Sequence, residues 1–479
     1  MQNKDNKYDS DSGGESLITE TGESFRDSVS NIDKKGHRIW IYPTKPSGRF
    51  HKARLIVGYF LIAFFVAMPF IKYDGQPYFL LDIFNRKFII FGSIFWPSDF
   101  FIFAIGFLCF AIFIVLFTAI FGRIWCGWAC PQTVFMELVY RKIEYLVEGD
   151  AGKQRALNKS KMTSEKFTKK FIKHFILIAL AFIVNAVLLS YIIGMDNILR
   201  IISGHPGDNT GGMFMLFAMT LLYYGNYSWF REQACTYICP YGRLQSVLLD
   251  KNSIVVGYDY KRGEPRGRLY HGDIAECNGS CIDCGNCVRV CPTGIDIRNG
   301  IQLECVGCTN CIDACDKIMD GIKQPGGLIK YTSITNIDEG KKFRFTPRII
   351  FYTALLAAIL TVFIVLLMSR TDVEVNILRA RGSTFNTNEK GDIVNIFTMK
   401  AMNKTNSYQT IRLKTENYSG KFTFIGSGGL TLKSDAILEG TFLLEIPSNE
   451  IKNSKNFVVI GIYIGDKQIN RITTSFSGP

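Results

Sequence analysis

Cysteine is absent from the last 164 residues of this 479-residue chain, although the chain contains 14 of them, all between Cys109 and Cys315. That distribution argues against a disulfide framework and for metal or redox use in a reducing compartment. No Cys-x-x-Cys-His haem attachment site is present, and no glycine-rich nucleotide loop precedes the cysteine-rich region. No signal-peptide pattern opens the chain. Charge is also modest, at 20% of residues, against 47% hydrophobic residues that include 38 Phe. The net charge of +13 could suggest nucleic acid, but the basic residues flank apolar blocks instead of forming a stripe with interleaved aromatics. Nucleic acid is therefore excluded as a partner, and the basic residues are read as orienting the chain in a lipid bilayer.

Residues 1–36 are mostly Ser, Asp, Lys, Asn and Gly, too polar to offset the entropy of ordering, and are expected to be a disordered tail. Residues 37–230 read as a membrane domain with four spans at about 55–71, 100–121, 175–193 and 213–230, and a fifth span follows at 349–368. The fourth is diluted by Gly225, Asn226 and Ser228. The stretch from Phe88 to Trp96 is too short to span and reads as interfacial. Between the second and third spans lie Arg123, Arg141, Lys142, Lys153, Arg155, Lys159, Lys161, Lys166, Lys169, Lys170 and Lys173, whereas 194–212 holds only Arg200. The positive-inside rule makes the former loop cytoplasmic. The chain is then expected in a bacterial inner membrane, with residues 231–347 in the cytoplasm and residues 370–479 in the periplasm. The cysteine-free C-terminal segment agrees with that sidedness.

Within 370–479, Val373, Val375 and Ile377 share one parity, as do Phe457, Val459 and Gly461, with Asn, Gly and Ser clusters between the runs. About seven strands at such turn spacings predict an immunoglobulin-like β-sandwich, without the Cys-Trp-Cys core of antibody domains.

The strongest signal is Cys281-x-x-Cys284-x-x-Cys287-x-x-x-Cys291-Pro292, followed by Cys305-x-x-Cys308-x-x-Cys311-x-x-x-Cys315, in an expected ferredoxin-type domain at about 277–316. A cubane has four irons, each wanting one thiolate; a loop with a cysteine at every third residue wraps three corners, and the fourth ligand comes from the other run. One [4Fe–4S] cluster thus takes Cys281, Cys284, Cys287 and Cys315. Its neighbour takes Cys305, Cys308, Cys311 and Cys291. Structural zinc also uses paired Cys-x-x-Cys, but rarely four thiolates at this spacing twice over. Asp316 stands where the first run has Pro292, which alters loop shape and removes no ligand. Cys277 is surplus and is read as a non-ligand thiol.

A second motif occurs twice, as Cys126-Gly-Trp-Ala-Cys130-Pro131-Gln132 and Cys235-Thr-Tyr-Ile-Cys239-Pro240-Tyr241, each just after an expected span. On a helix, cysteines at i and i+4 face one way, and each proline would start a new segment or kink the old one. Four thiols could converge there. Soft thiolates favour Cu(I) or iron–sulfur, a close dithiol can cycle through a disulfide, and the bland alternative is small residues at a helix interface. Recurrence at equivalent depth favours a redox or metal role for Cys126, Cys130, Cys235 and Cys239. Cys109 in mid-span is read as packing, and Met213, Met215 and Met219 with His205 as helix filler in preference to a copper port. His174, among lysines, is expected to be solvated.

Taken together, Cys-Gly-Trp-Ala-Cys-Pro-Gln (126–132), Gln-Ala-Cys-Thr-Tyr-Ile-Cys-Pro-Tyr-Gly-Arg (233–243), the cysteine run at 281–300 and Cys-Ile-Asp-Ala-Cys-Asp (311–316) resemble the FixG family, also called CcoG or RdxA, the cytochrome c oxidase accessory proteins. The ferredoxin part alone is generic; its combination with both proline-flanked motifs is specific. Cys277 is not part of the family's pattern. The resemblance implies a multi-span membrane protein carrying two [4Fe–4S] clusters, an electron donor in assembly of the C-type haem–copper oxidase that reduces Cu(II) to Cu(I). Electrons would come from a cytoplasmic donor and pass through the clusters to the four paired thiols, where copper is held transiently. Implied partners are copper chaperones or a copper-transporting ATPase, haem–copper oxidase subunits and a second copy of the chain. Two other classes compete: a quinol-linked subunit of a nitrate-reductase-like system, against which the outer β domain speaks, and a redox-responsive structural partner.

Overall fold

The computed structural model describes residues 37–73, 75–84, 87–205, 207, 209–267, 279–340, 346–380, 384–405, 407–425, 430–433 and 436–479. The expected tail at 1–36 and Cys277 lie outside them. Seven helices carry the argument: α1 (Arg49–Ala67), α2 (Phe100–Phe121), α3 (Ile124–Trp128), α4 (Ser164–Ile193), α5 (Thr210–Gly225), α6 (Asn310–Gly321) and α7 (Pro347–Met368). Among the described residues four are long and apolar enough to cross a bilayer: α1 with its extension to Phe70, α2, α4 and α7. The other expected span is α5, which has 16 residues and continues as a π turn over Asn226–Phe230, where the polar residues fall. On α4, buried Asn185 donates to the Leu216 carbonyl and the Thr220 hydroxyl of α5, both at 3.2 Å, a polar tie between otherwise apolar helices.

Strands β1 (Phe79–Asp82), β2 (Lys87–Ile90) and β3 (Ser93–Phe95) form an antiparallel meander. The segment expected to be interfacial is thus β2 and β3, with Ile89 and Ile94 buried. Strands β4 (Val255–Tyr258) and β5 (Ile329–Thr332) pair across the cysteine-rich segment. The C-terminal strands that form the sandwich are β6 (Val373–Arg379), β7 (Ile393–Asn403), β8 (Gln409–Thr415), β9 (Lys421–Ile425), β10 (Thr431–Leu432), β11 (Ile437–Ile446), β12 (Lys455–Ile464) and β13 (Lys467–Ser477), with a two-residue strand Asn386–Thr387 pairing against the start of β7.

The chain divides into two compact units: residues up to Ala67 with Phe107–Leu189 and Leu199–Ile359, and Met68–Gly106 with Ser190–Ile198 and Leu360–Pro479. In the second unit, sheets ordered β9–β11–β7–β6 and β10–β8–β12–β13 close over one core centred on Phe397, Phe442, Val458 and Ile460. Val373, Val375 and Ile377 point inward, as their alternation implies. In β12 the inward set is instead Val458, Ile460 and Ile462, each 0% exposed, while Phe457 is 58% exposed. Both parities of that run are apolar, so its pattern is ambiguous; pairing of Leu413 with Ile462 sets the face. Asp99, just ahead of α2, is buried and takes Lys404 Nζ at 2.6 Å and Arg370 Nη2 at 3.1 Å.

In the first unit a buried ion network holds the chain around the second paired-cysteine motif. Arg231 pairs with Glu144, Lys173 with Glu148 at 2.9 Å, and Glu232 with Arg38 at 3.0 Å. Charges so buried persist only in pairs. The carboxylate of Asp313 on α6 accepts the Phe50 and His51 amides at 3.1 and 2.7 Å, capping the free first turn of α1. The cysteine-rich segment is thereby fastened to the start of a membrane-length helix.

Candidate metal centres

Both ferredoxin-type runs fold the same way locally. The residues flanking the middle cysteine are left-handed in each: Asp283 (φ 49°) and Gly285 (φ 67°) around Cys284, Gly307 (φ 67°) and Thr309 (φ 63°) around Cys308. Left-handed residues alternating with right-handed ones turn successive amides to one concave side, a cradle that suits anions and iron–sulfur groups. Short helices start immediately after, at Asn286–Arg289 and Asn310–Gly321. The Gly307 amide donates to Cys305 Sγ, Asn310 to Cys308 Sγ and Val288 to Cys287 Sγ.

One cavity of about 380 Å3 is lined by Cys281, Cys284, Cys287 and Cys315; another of about 350 Å3 is lined by Cys291, Cys305, Cys308 and Cys311, with Cys287 at its edge. Burial pushes the thiols up, Cys305 to about 11 and Cys308 and Cys315 to about 12, so the metal must displace protons on binding. Among the described residues no three His, Cys, Asp or Glu side chains converge on a point that would hold one ion. Thiols spread around a cavity suit a cubane better than mononuclear zinc. The residues therefore fit two [4Fe–4S] clusters.

The paired-cysteine motifs depart from the uniform helix in which positions i and i+4 share a face. Cys126 lies in α3, which ends at Trp128, and Cys130 is extended (φ −62°, ψ 125°). Cys235 lies in a π turn over Ala234–Ile238, and Cys239 is extended (φ −71°, ψ 111°). The cause is the proline that follows: its ring drives the preceding residue out of the helical region, and Pro131 and Pro240 each open a new helix. The four thiols nonetheless line one cavity of about 1100 Å3, including space open to solvent. Burial, with neighbouring thiols adding to it, raises Cys126 and Cys235 to about 12.

This cavity adjoins the second ferredoxin-type run, since Leu303, Glu304 and Val306 share its wall. A Cβ at Gly127 would stand 2.7 Å from the carbonyl oxygens of Val306 and Gly307 and 2.8 Å from the Cys308 nitrogen. Reciprocally, a Cβ at Gly307 would stand 3.0 Å from the Arg123 carbonyl. The two backbones touch only because both positions lack a side chain. Arg123 donates to the carbonyls of Leu303 and Gly242, bridging the runs. Trp128 Nε1 donates to Tyr331 Oη at 3.0 Å, and Tyr331 to the Gly307 carbonyl at 3.3 Å. From α1, buried Arg54 donates to the Cys308 carbonyl at 3.1 Å and to Asn310 Oδ1 at 2.9 Å.

Cysteine spacing does not reveal these supporting residues; glycine inside Cys-Gly-Trp and the charges within apolar spans were the available signals. Cys109 is buried in α2. Met215 and Met219 are exposed on the surface of α5, and His205 is exposed as well. His174 is half-buried, and its Nδ1 is 2.7 Å from Tyr224 Oη, so it is not the solvated residue its lysine neighbours suggest; helix α5 covers it.

Family models match three stretches: a 4Fe-4S binding domain over 103–149, a 4Fe-4S dicluster domain over 230–334, and the IG-like fold at the C-terminal of FixG, putative oxidoreductase, over 363–479. Protein RdxB of Cereibacter sphaeroides is 32% identical over 88% of this chain and 89% of its own length. Protein RdxA of the same organism is 33% identical over 82% of this chain and 86% of its own. Nitrogen fixation protein FixG of Rhizobium meliloti is 33% identical over 78% of this chain and 79% of its own. Similarity at this level runs through the helices, both cysteine systems and the β domain, and the chain belongs to the FixG family of membrane-associated iron–sulfur proteins.

Proposed function

We propose that this protein delivers single electrons to Cu(II), yielding Cu(I) for insertion into a C-type haem–copper cytochrome c oxidase. The observation that carries the reading is the interlock of Gly127 with the loop Val306–Cys308, which brings the paired thiols against the second cluster cavity. Bound in the two ferredoxin-type cavities, [4Fe–4S] clusters supply one-electron chemistry. The chain's own residues do the rest. Arg54 and Arg123 hold the carbonyls of the cluster loop, and Gly127 and Gly307 allow backbone contact. Cys126, Cys130, Cys235 and Cys239 line the cavity from which electrons leave, where soft sulfur favours Cu(I) over Cu(II). The clusters face the cytoplasm and its electron donor in this reading, and the β-sandwich faces the periplasm. Copper chaperones or a copper-transporting ATPase, oxidase subunits and a second copy of the chain are the proposed partners.

The test is anaerobic mixing of the reduced protein with Cu(II) and a Cu(I)-specific chelator dye. One Cu(I) should form per electron stored, and replacing all four paired cysteines by serine should abolish the reaction. Wild-type rates in that quadruple variant, or a redox-silent protein, would overturn the proposal.

A further inference from the structure

The four paired cysteines line one cavity, yet each motif supplies only two of them: Cys126 and Cys130 fall in the family model over 103–149, Cys235 and Cys239 in the one over 230–334. The fold brings the other pair, Cys235 and Cys239, to the same wall. The surroundings already serve sulfur. Backbone amides of Gln132 and Thr133 donate to Cys130 Sγ. Cys126 Sγ donates to Gln245 Oε1 at 3.1 Å. Gln245 is 0% exposed, and its Nε2 is turned toward the Tyr241 hydroxyl but falls short of full hydrogen-bond geometry. A buried amide donor so weakly paired calls for an explanation. A metal ligand supplies one. Once Cys126 gives up its proton, Oε1 faces an anionic sulfur, and a half-turn of the amide presents Nε2–H to it.

We infer that the four thiols hold a third [4Fe–4S] cluster, with Cys126, Cys130, Cys235 and Cys239 as ligands and Gln245 as a hydrogen-bond donor to Cys126 Sγ. Four thiols around a cavity, with no three at mononuclear spacing, is the arrangement of both ferredoxin-type cavities in this same chain. Arg123 and Arg243 line the wall, cationic partners for a group of four thiolates. Loading is ligand exchange with a thiolate-bound [4Fe–4S]2+ donor: four Fe–S bonds to the donor thiolates break as four form here, and the four protons released by these thiols go to the departing thiolates. In use the group accepts one electron from the adjacent cluster and passes one to Cu(II), which becomes Cu(I). The cavity is larger than either ferredoxin-type cavity and includes space open to solvent, which leaves an approach for the incoming ion. This rests on the proposed function and revises it in one respect: the four thiols hold iron, and Cu(II) takes its electron from the cluster they carry instead of from free thiolates.

The test uses the full chain in detergent, purified and reconstituted without oxygen, with iron and sulfide analysis, native mass spectrometry and Mössbauer spectra. The unmutated protein should carry about twelve iron and three cluster mass increments. Changing Cys126 and Cys130 to Ser, or independently Cys235 and Cys239, should lower iron to about eight and leave the ferredoxin-type EPR signals, while Cys109→Ala stays near twelve. Two cluster increments in the unmutated protein would overturn the inference, as would one Cu(I) per chain resident on these thiols in fully loaded protein. Three clusters without copper reduction would leave the inference standing and sink the proposed function; two clusters with copper reduction would do the opposite.

Discussion

Placing alanine at Gly127 tests whether the two cysteine systems are coupled through backbone contact. The added methyl meets three backbone atoms at 2.7–2.8 Å, from Val306, Gly307 and Cys308, none of which can rotate away. Carbon–oxygen contacts relax only near about 3.3 Å, so the cluster loop must retreat by roughly 0.6 Å. Overpacking of this kind costs about 1–3 kcal/mol. Gly307→Ala adds a left-handed strain of about 1–2 kcal/mol to its own contact with Arg123. Because either change opens the same seam, the double variant should fall short of the sum by about 0.5–3 kcal/mol. Gly152→Ala is the control: no atom lies within 4 Å of its Cβ, and in the helix Ala151–Lys159 it should be neutral or stabilising by up to about 1 kcal/mol. The assay is unfolding of the detergent-solubilised protein followed by bleaching of cluster absorbance. Gly127→Ala behaving like Gly152→Ala, or strict additivity in the double variant, would refute the interlock.

Cys291→Ser should disturb the EPR signal of the cluster whose other ligands are Cys305, Cys308 and Cys311, since Cys291 lines that cavity; loss confined to the other signal would refute crossed ligation. Asp99→Asn should destabilise the β-sandwich unit by about 3 kcal/mol, the lower end for stranding a buried charge, because among the described residues Lys404 then keeps Glu374 at 2.9 Å as its carboxylate partner. Protease resistance of the C-terminal domain equal to wild type would count against that ion cluster. Reporters fused after Ser369 and at Asp150 should be active outside and inside the cytoplasm, respectively. Reversed activities would put the clusters on the other side.

The sequence by itself determined what depends on short spacing and composition. Three-residue cysteine steps need only a tight loop, so both ferredoxin-type runs were legible, as were four of the apolar helices and the inward parity of Val373, Val375 and Ile377. Where a run was apolar on both parities, as at 457–462, pattern alone could not choose a face, and strand pairing did. Proline decided locally that Cys130 and Cys239 would leave the helix, as the expectation that each proline starts a new segment implied, so the i, i+4 spacing alone did not set how the thiols face. Only the tertiary structure brought Cys126 and Cys130 to one cavity with Cys235 and Cys239, set Gly127 against Gly307, and brought the buried Gln245 amide to Cys126 Sγ. Those contacts join residues more than a hundred positions apart, and no local pattern encodes them, because they depend on how helices pack and which buried charges must find partners.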